Sequence, residues 1–430
     1  MRGSMKMADY HGMWKELNID LKTHDLLCDA LPPLYEGIYL DQGNRPETMD
    51  YFNMVVAEVH GARIKELMDF KAKGNKVVGA FCIYVPEELV LAAGSQLVGL
   101  CAGSEFWVPP GEKVLPRNTC PLVKAGVGAR ISRTCPYFQS VDLIVGENTC
   151  DGKKKAWEIL AEEAPMYVMD IPNVKSRSGM ALWKSEVKSL SEKLEKLTGK
   201  TITSSNLKEA IEKVNAKRIA LQKLNDLRKG DVVPISGKDA LLVSEIAFYD
   251  DVDRFVEKVQ VLTDECVERV QKGETPFNPG AKRIMVTGSP LVLPNWKLHH
   301  LVESTGNPVV VEENCTGTRY YEQTVDGSPS DLGGLMDNLA SRYIENIHCA
   351  CFTPNDGRLD DIVRLAKEYR VDGIIDYSLS FCTTYLTEGT KVRDRLKQEG
   401  IPVLSLETGY ESGDEGQLKT RIEAFIETLE

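Results

Sequence analysis

Two short segments each place a cysteine after a polar stretch and before a predicted helix. They are RNTCPLVKAGVG (residues 117–128, with Cys120) and ENTCDGKKKAWE (residues 147–158, with Cys150). Thiolates bind soft metals and act as nucleophiles. The carboxyl ends of parallel strands form the ligand-binding edge of an open α/β sheet, so cysteines that follow such strands are expected to meet in one cleft. Those that directly follow predicted strands are Cys101, Cys150, Cys315 and Cys382.

The chain has eleven cysteines and no visible secretory signal, so a disulfide framework is not expected. Cys28, Cys82 and Cys266 lie on apolar faces of predicted elements and are interpreted as buried hydrophobic residues. Cys135, in SRTCPYF, is ambiguous. The others lie in loops rich in Gly, Pro, Thr, Asn and Asp, where side chains are presented rather than packed. They are Cys101, Cys120, Cys150, Cys315, Cys349, Cys351 and Cys382.

The spacing of these loop cysteines distinguishes three kinds of site. Structural zinc usually binds paired C-x2–4-C motifs, whereas the chain has no CxxC and its CAC at 349–351 is too tight. A Cys–His nucleophile needs a positioned base, and His348 beside Cys349 is a weak candidate. Iron–sulfur clusters bind dispersed thiolates, and about six thiolates, divided three and three, suit two cubanes. Iron–sulfur ligation therefore fits the pattern best.

Positive charge is expected beside two of these cysteines. Pro121 and Asp151 mark helix starts directly after Cys120 and Cys150, and helix N-termini stabilise negative charge. Lys124 and the GKKK segment at 152–155 lie close in sequence. These cations would offset the charge of a cluster or raise its potential.

The hydrophobic pattern predicts an α/β fold, with two α/β domains that contain parallel sheets, plus helical N-terminal and intervening segments. Between 178 and 228, and between 236 and 273, Lys, Glu, Leu and Ala recur at helical period. The predicted domains are 1–44 (helical), 45–172 (first α/β), 173–279 (helical) and 280–430 (second α/β). Strands are predicted at 76–86, 96–103, 141–147, 165–172, 282–291, 307–315, 371–382 and 401–410.

Composition limits the possible partners. The net charge of −12 argues against a nucleic-acid or anionic-membrane partner. The chain has no apolar run long enough to span a membrane, and a cytoplasmic protein is expected. The leading MRGS resembles a vector-derived leader, so residues 1–6 are left out of the fold argument. Neither a P-loop nor a G-x-G-x-x-G after a strand is found, so ATP-driven chemistry would need another protein to bind the nucleotide.

Several motifs together resemble one family. They are YVPEELVLAAG, LCAGS, LPRNTCPLVKAGVG, TCDGKKKAWEIL, ENCTGTRYY, CACFTPNDGR and VDGIIDYSLSFC. In combination, from about residue 45 to the C-terminus, they resemble the 2-hydroxyacyl-CoA dehydratase / benzoyl-CoA reductase superfamily, and its double-cubane branch of anaerobic reductases most closely. The resemblance implies a homodimer with an [8Fe-9S] double-cubane cluster bound by six cysteines in each subunit. It also implies electron supply from a separate ATP-hydrolysing iron–sulfur reductase.

The resemblance also implies a ligand assignment. Cys120, Cys150 and Cys382 match the three-cysteine set of the dehydratase relatives, so Cys101, Cys315 and Cys351 would bind the second cubane. Cys349 is the alternative to Cys351. No CoA-binding signature is found, which favours reduction of a small molecule. Two other readings stay open: a 2-hydroxyacyl-CoA dehydratase subunit with a [4Fe-4S] cluster, and a non-catalytic electron-transfer module.

Overall fold

The computed structural model describes residues 10–429. Residues 1–6, which the sequence sets apart as a leader, lie outside this range. Two four-stranded parallel sheets organise the described chain, which confirms the predicted fold class. The strands are β1 (Val77–Ala80), β2 (Gln96–Gly99), β3 (Leu143–Glu147), β4 (Met166–Met169), β5 (Ile284–Gly288), β6 (Val309–Glu313), β7 (Gly373–Leu379) and β8 (Val403–Thr408).

Both sheets have the same topology. The first sheet has the order β2-β1-β3-β4 and the second β6-β5-β7-β8, so the second repeats the first in chain order. β1, β3, β5, β6 and β7 are buried along their whole length, as expected for parallel strands covered by helices. In each sheet the order reverses beside the first strand, and such a switch point opens a crevice at the carboxyl ends of the strands.

Helices precede and connect the strands of the first sheet. They are α1 (His11–Glu16), α2 (Leu21–Tyr35), α3 (Asp50–Ala57), α4 (Ala62–Ala72), α5 (Glu87–Ala92), α6 (Val108–Gly111), α7 (Pro121–Ile131), α8 (Pro136–Ser140) and α9 (Asp151–Leu160).

The intervening segment and the second sheet contribute the remaining helices. They are α10 (Arg177–Thr198), α11 (Ser204–Asp226), α12 (Gly237–Ile246), α13 (Val252–Lys272), α14 (Lys297–Glu303), α15 (Thr318–Tyr321), α16 (Leu332–Glu345), α17 (Asp356–Glu368), α18 (Thr383–Gln398) and α19 (Glu415–Glu427).

Local signals set the ends of the long intervening helices. Ser176 caps α10, and Thr203 with Asn206 forms a capping box on α11, which satisfies amides that the first turn leaves unpaired. Gly199 ends α10 and Gly273 ends α13, each with φ near 70° (71° and 72°), a conformation that costs glycine little. The sequence therefore specifies these helices locally.

Buried ion pairs join the intervening helices to the first sheet's domain. On α5, Glu87 pairs with Lys217 at 2.6 Å, and Glu88 pairs with Arg218 at 2.7 Å. Tyr343 of α16 donates a hydrogen bond to Glu88 at 2.7 Å. One hydrophobic core cluster contains residues of both sheets and of α10–α13. The two sheets and the helices between them therefore share a core, and the predicted domain boundaries stay a prediction.

None of the helices between residues 10 and 429 combines the length and apolarity needed to cross a membrane.

Candidate functional site

One cavity of about 1220 Å³ is lined by residues that follow strands of both sheets. All six predicted ligands line it, and so do Cys82 and Cys349. The eight cysteines are Cys82, Cys101, Cys120, Cys150, Cys315, Cys349, Cys351 and Cys382. The repeated topology brings them together, because the carboxyl ends of both sheets open on the same space.

Four of these cysteines occupy equivalent positions in the two sheets. Cys101 lies two residues after the end of β2, as Cys315 does after β6. Cys150 lies three residues after the end of β3, as Cys382 does after β7. β6 and β7 are the counterparts of β2 and β3 in the repeated order. Each sheet therefore presents a thiol from the same two strand ends.

Cys120, Cys150 and Cys382 each occupy the N-cap position of a helix of ten or more residues: α7, α9 and α18. The Cys150 sulfur accepts a hydrogen bond from the Lys153 amide at 3.4 Å. Cys120 and Cys382 make no such cap hydrogen bond, but nearby first-turn amides act electrostatically to lower the pKa of both. These amides and the helix dipole lower the cost of a thiolate at each position. Burial nevertheless raises the pKa of Cys150, and contact with Cys382 together with burial raises that of Cys120.

These three cysteines form the first of two neighbouring groups in the cavity, which are not separate because Cys349 of the second group also acts electrostatically on Cys382. Cys120 and Cys382 lie close enough to interact, and this interaction lowers the pKa of Cys382 and raises that of Cys120. Cys150 interacts electrostatically with Cys382. The residue before Cys382, Phe381, has φ 63°, a left-handed conformation that turns the chain from β7 into α18.

The second group surrounds Cys315. Cys82 and Cys315 lie close enough to interact, which raises the pKa of Cys82 and lowers that of Cys315, and Cys101 interacts with Cys315 electrostatically. Cys349 and Cys351 contact each other. Two tyrosine hydroxyls border this group: Tyr385 lies 3.7 Å from the Cys349 sulfur and Tyr84 lies 3.7 Å from the Cys351 sulfur. Five thiols therefore share this side of the cavity.

Two buried cations lie beside the thiols. The Lys153 ammonium pairs with buried Glu147, and its pKa is well above the usual value: burial opposes the charge, but Glu147 and the cysteines Cys82, Cys101 and Cys150 outweigh it. The Arg319 guanidinium, held by Glu313, favours the thiolate forms of Cys315 and Cys349. Positive charge was expected here from the GKKK segment. The structure divides that segment, because Lys153 is buried whereas Lys154 and Lys155 pair with surface acids.

The arrangement of thiols distinguishes a cluster from a single metal ion. A tetrahedral zinc ion brings its donor atoms within about 4 Å of one another. Among residues 10–429, one group of three His, Cys, Asp or Glu donor atoms lies within 4.8 Å, and it is outside this cavity. The cavity thiols instead meet in pairs spread around a large space. Because each thiolate of a multinuclear cluster binds a different iron, the donor set fits iron–sulfur chemistry better than zinc.

Cys82, interpreted from the sequence as a buried core residue, packs against the hydrophobic core but also lines the cavity. Cys82 lies two residues after the end of β1, the position that Cys101 holds after β2, so the strand-end rule would have found it. Cys266 and Cys135 are buried in apolar clusters, as expected for the former. Cys28 is half-buried: it packs against an apolar cluster, as expected, and also lies beside two histidines. His348 hydrogen-bonds Asp361 at 2.6 Å.

The cavity also contains a carboxyl that sequence reasoning missed. Glu245 of α12 lines the cavity and is buried. Its Oε2 accepts a hydrogen bond from the Trp296 indole at 3.0 Å, and its Oε1 has no partner among the described residues. Burial raises the pKa of Glu245 well above its usual value, which favours the protonated form of this carboxyl.

Comparison with known proteins identifies the family. Residues 82–429 match HGD-D, described as 2-hydroxyglutaryl-CoA dehydratase, D-component. The chain is 38% identical over 366 residues to the putative dehydratase subunit YjiM of Escherichia coli (strain K12), which covers 84% of this chain and 94% of that protein. It is 27% identical to the (R)-phenyllactyl-CoA dehydratase beta subunit of Clostridium sporogenes, in an alignment that covers 83% of this chain and 92% of that protein. It is 23% identical to one of the benzoyl-CoA reductase subunits of Thauera aromatica, in an alignment that covers 83% of this chain and 91% of that protein.

These matches confirm the superfamily that the motifs indicated: the chain belongs to the 2-hydroxyglutaryl-CoA dehydratase D-component family, whose relatives include dehydratase and reductase subunits.

Proposed function

We propose that this chain is the cluster-carrying component of a low-potential reductase and binds an [8Fe-9S] double-cubane cluster. The observation that carries the proposal is the set of eight cysteines, in two groups, that lines one cavity. A subunit with a single cubane would use about three or four of them. The remaining thiols would then have no role at the cavity wall, where a thiol that binds no metal is open to oxidation.

The contacts support a division of the ligands. Cys120, Cys150 and Cys382 would bind one cubane, since they share N-cap positions and interact with one another. The second cubane would take its ligands from the group around Cys315, and the proposal assigns Cys101, Cys315 and Cys351. Cys349 is the alternative to Cys351, and Cys82 is a further competitor because it contacts Cys315 directly.

The cavity residues would tune and protect the bound group. When bound, the cluster supplies electrons at low potential for the reduction of a small molecule. Lys153 and Arg319 place positive charge against the thiolates, which stabilises them in a poorly solvated space. Glu245 holds a proton on its carboxyl at the same cavity wall. A reduction consumes protons with electrons, so a protonated carboxyl is suited to donate one.

The proposal includes partners. The chain has no P-loop, so the electrons would come from a separate ATP-hydrolysing iron–sulfur reductase in the cytoplasm. The relatives are named as subunits, which supports assembly with other chains. The proposed assembly is a homodimer, since one chain supplies enough thiols for the whole cluster.

The names of the relatives favour a second candidate function, that of an acyl-CoA dehydratase subunit with a [4Fe-4S] cluster. That function requires an acyl-CoA substrate and a different partner subunit. Binding of an acyl-CoA to the purified chain, with about four irons per chain, would support it over the reductase. A chain that stores electrons but reduces no small molecule when supplied with the reduced ATPase would instead be an electron-transfer module.

Single cysteine variants prepared without oxygen test the ligand assignment. Serine at any of the six proposed positions should lower the iron content or alter the paramagnetic spectrum, because hard oxygen replaces thiolate poorly. Cys266→Ala is the matched control, since Cys266 is buried in an apolar core and should keep full iron. Full iron and an unaltered spectrum in Cys120→Ser, Cys150→Ser and Cys382→Ser would contradict the assignment. The ligands of the second cubane are identified by comparing iron content within two pairs of variants. These pairs are Cys82→Ser with Cys101→Ser, and Cys349→Ser with Cys351→Ser.

A further inference from the structure

A second cluster of metal-binding side chains lies outside the cavity, in the N-terminal helices. His24 and Cys28 are one turn apart on α2, and His60 lies in the loop between α3 and α4. Residues four apart project from the same face of a helix, so both α2 side chains face the loop. All three residues precede the segment 82–429 that matches the family. The cluster is therefore separate from the proposed function and does not depend on it.

The distances within this cluster are close to those of one bound ion. His24 Nε2 lies 3.0 Å from His60 Nδ1 and 3.6 Å from the Cys28 sulfur, and all three donor atoms lie within 4.8 Å of one another. Around a tetrahedral zinc ion with standard bond lengths, two nitrogens are about 3.4 Å apart, and a nitrogen and a sulfur about 3.6 Å apart. The two rings need to separate by about 0.4 Å to admit the ion, and the Cys28 sulfur already lies at the expected distance from His24.

The surroundings fix the two rings and keep them neutral. The Trp14 ring lies against the His24 ring, with centroids 4.3 Å apart, and its indole donates a hydrogen bond to the His60 carbonyl at 2.7 Å. Burial lowers the pKa of His24 to about 4 and that of His60 to about 3, so both are the neutral imidazoles that metals bind. Burial raises the pKa of Cys28 to about 12.

We propose that His24, Cys28 and His60 bind one Zn²⁺ ion, which joins α2 to the loop before α4. Two imidazoles and one thiolate form a nitrogen–sulfur donor set that suits zinc, and solvent completes the fourth position. Binding converts the Cys28 thiol to a thiolate and releases its proton to solvent, with no redox change. The ion stabilises the N-terminal helices against the rest of the chain, because it cross-links segments about 32 residues apart in sequence.

The test uses the anaerobic, cluster-containing full chain, after mild chelation and then incubation with Zn²⁺. Wild type should retain about one zinc per chain more than Cys28→Ala, at the same iron content. Cys266→Ala, which removes a buried thiol with no histidine neighbour, should bind zinc like wild type. With Co²⁺ in place of zinc, wild type and Cys266→Ala should show a sulfur-to-metal charge-transfer band, and Cys28→Ala should not.

Cys28→Asp is a second variant, which keeps the result interpretable if Cys28→Ala does not fold. It replaces the thiolate by a carboxylate oxygen, which is a weaker ligand. It should bind Co²⁺ more weakly, without the charge-transfer band. Equal zinc in Cys28→Ala and Cys266→Ala, or no zinc in folded wild type, would overturn the proposal and leave the two histidines as a hydrogen-bonded pair. Iron content is measured in the same samples, so failure of the zinc site is distinguishable from failure of the proposed iron–sulfur function.

Discussion

Substitution of Arg228 should destabilise the strand that leads to Cys315. Arg228 is fully buried and binds both carboxylate oxygens of Glu312 on β6, at 3.0 and 2.7 Å. His299 contacts the same carboxylate at 3.0 Å. Burial alone would raise the pKa of Glu312, but Arg228 and His299 outweigh it and lower that pKa to about 2. Arg228→Met would leave this carboxylate buried without its main partner.

Two estimates of the cost agree. The pKa of Glu312 is lowered from 4.5 to about 2, and at about 1.4 kcal/mol per unit this shift corresponds to about 3 kcal/mol. Removing one partner of a buried ion pair typically costs about 3–5 kcal/mol. With an unfolding entropy of about 0.9 kcal/mol per degree for a chain of this length, the Tm should fall by about 3–5 °C.

The effect has a defined pH dependence. Because the folded pKa of Glu312 is lowered, its contribution to stability is present above the unfolded pKa of about 4.3 and is lost as pH falls towards the folded value. In Arg228→Met burial would instead raise the folded pKa of Glu312 above its unfolded value, so this variant loses stability as pH rises from about 4.3 towards that raised pKa. The difference in Tm between wild type and variant should therefore be largest near neutral pH and smallest below about pH 4.

Thermal unfolding followed by circular dichroism provides the assay. Arg228→Met/Glu312→Gln removes both charges and should recover most of the lost stability. Lys65→Met is the surface control, since Lys65 and Asp69 form a pair in which both side chains are 61% exposed, and its loss should cost less than about 1 kcal/mol. A fall in Tm no larger than that of Lys65→Met, or one that does not change with pH, would refute the reasoning.

Three further outcomes follow from the cavity. Gly288→Ala should lower Tm and iron content more than Gly74→Ala, as measured by thermal unfolding and iron assay. Both glycines have positive φ, 121° and 85°, but a Cβ at Gly288 would also collide with the Tyr377 carbonyl. Lys153→Met should make the potential of the bound cluster more negative in a redox titration, whereas exposed Lys155→Met should not. Glu245→Gln should slow small-molecule reduction by about tenfold or more at unchanged iron content, and unchanged turnover would contradict a proton-donating role.

Much of the fold could be predicted because its signals are local. Most of the strands are short, largely apolar runs flanked by Gly, Pro, Asn or Asp, and no observed strand end lies more than six residues from its predicted position. The long helices α10, α11 and α13 have clear amphipathic periods and caps. Periodicity alone cannot give the order of strands in a sheet, and the repeated order β2-β1-β3-β4 is known only from the structure.

Loop composition and the family motifs predicted Cys120 and Cys351, whereas the other four ligands were predicted by one rule, that cysteines after strand ends face the ligand cleft. That rule found Cys101, Cys150, Cys315 and Cys382, but it was not applied to Cys82, whose apolar neighbours suggested a core position. The contacts of Glu245 and the approach of His60 to α2 depend on segments distant in sequence. Such contacts come from tertiary packing, which residue spacing does not encode.

The iron and sulfide content of the chain tests the central claim most directly. Protein purified without oxygen and reconstituted is assayed for iron and acid-labile sulfide per chain, with Cys266→Ala as the control and Cys120→Ser as the ligand variant. The double-cubane assignment predicts about eight irons and nine sulfides per chain, the same in Cys266→Ala, and clearly less in Cys120→Ser. About four of each in wild type, or equal content in all three proteins, would contradict it.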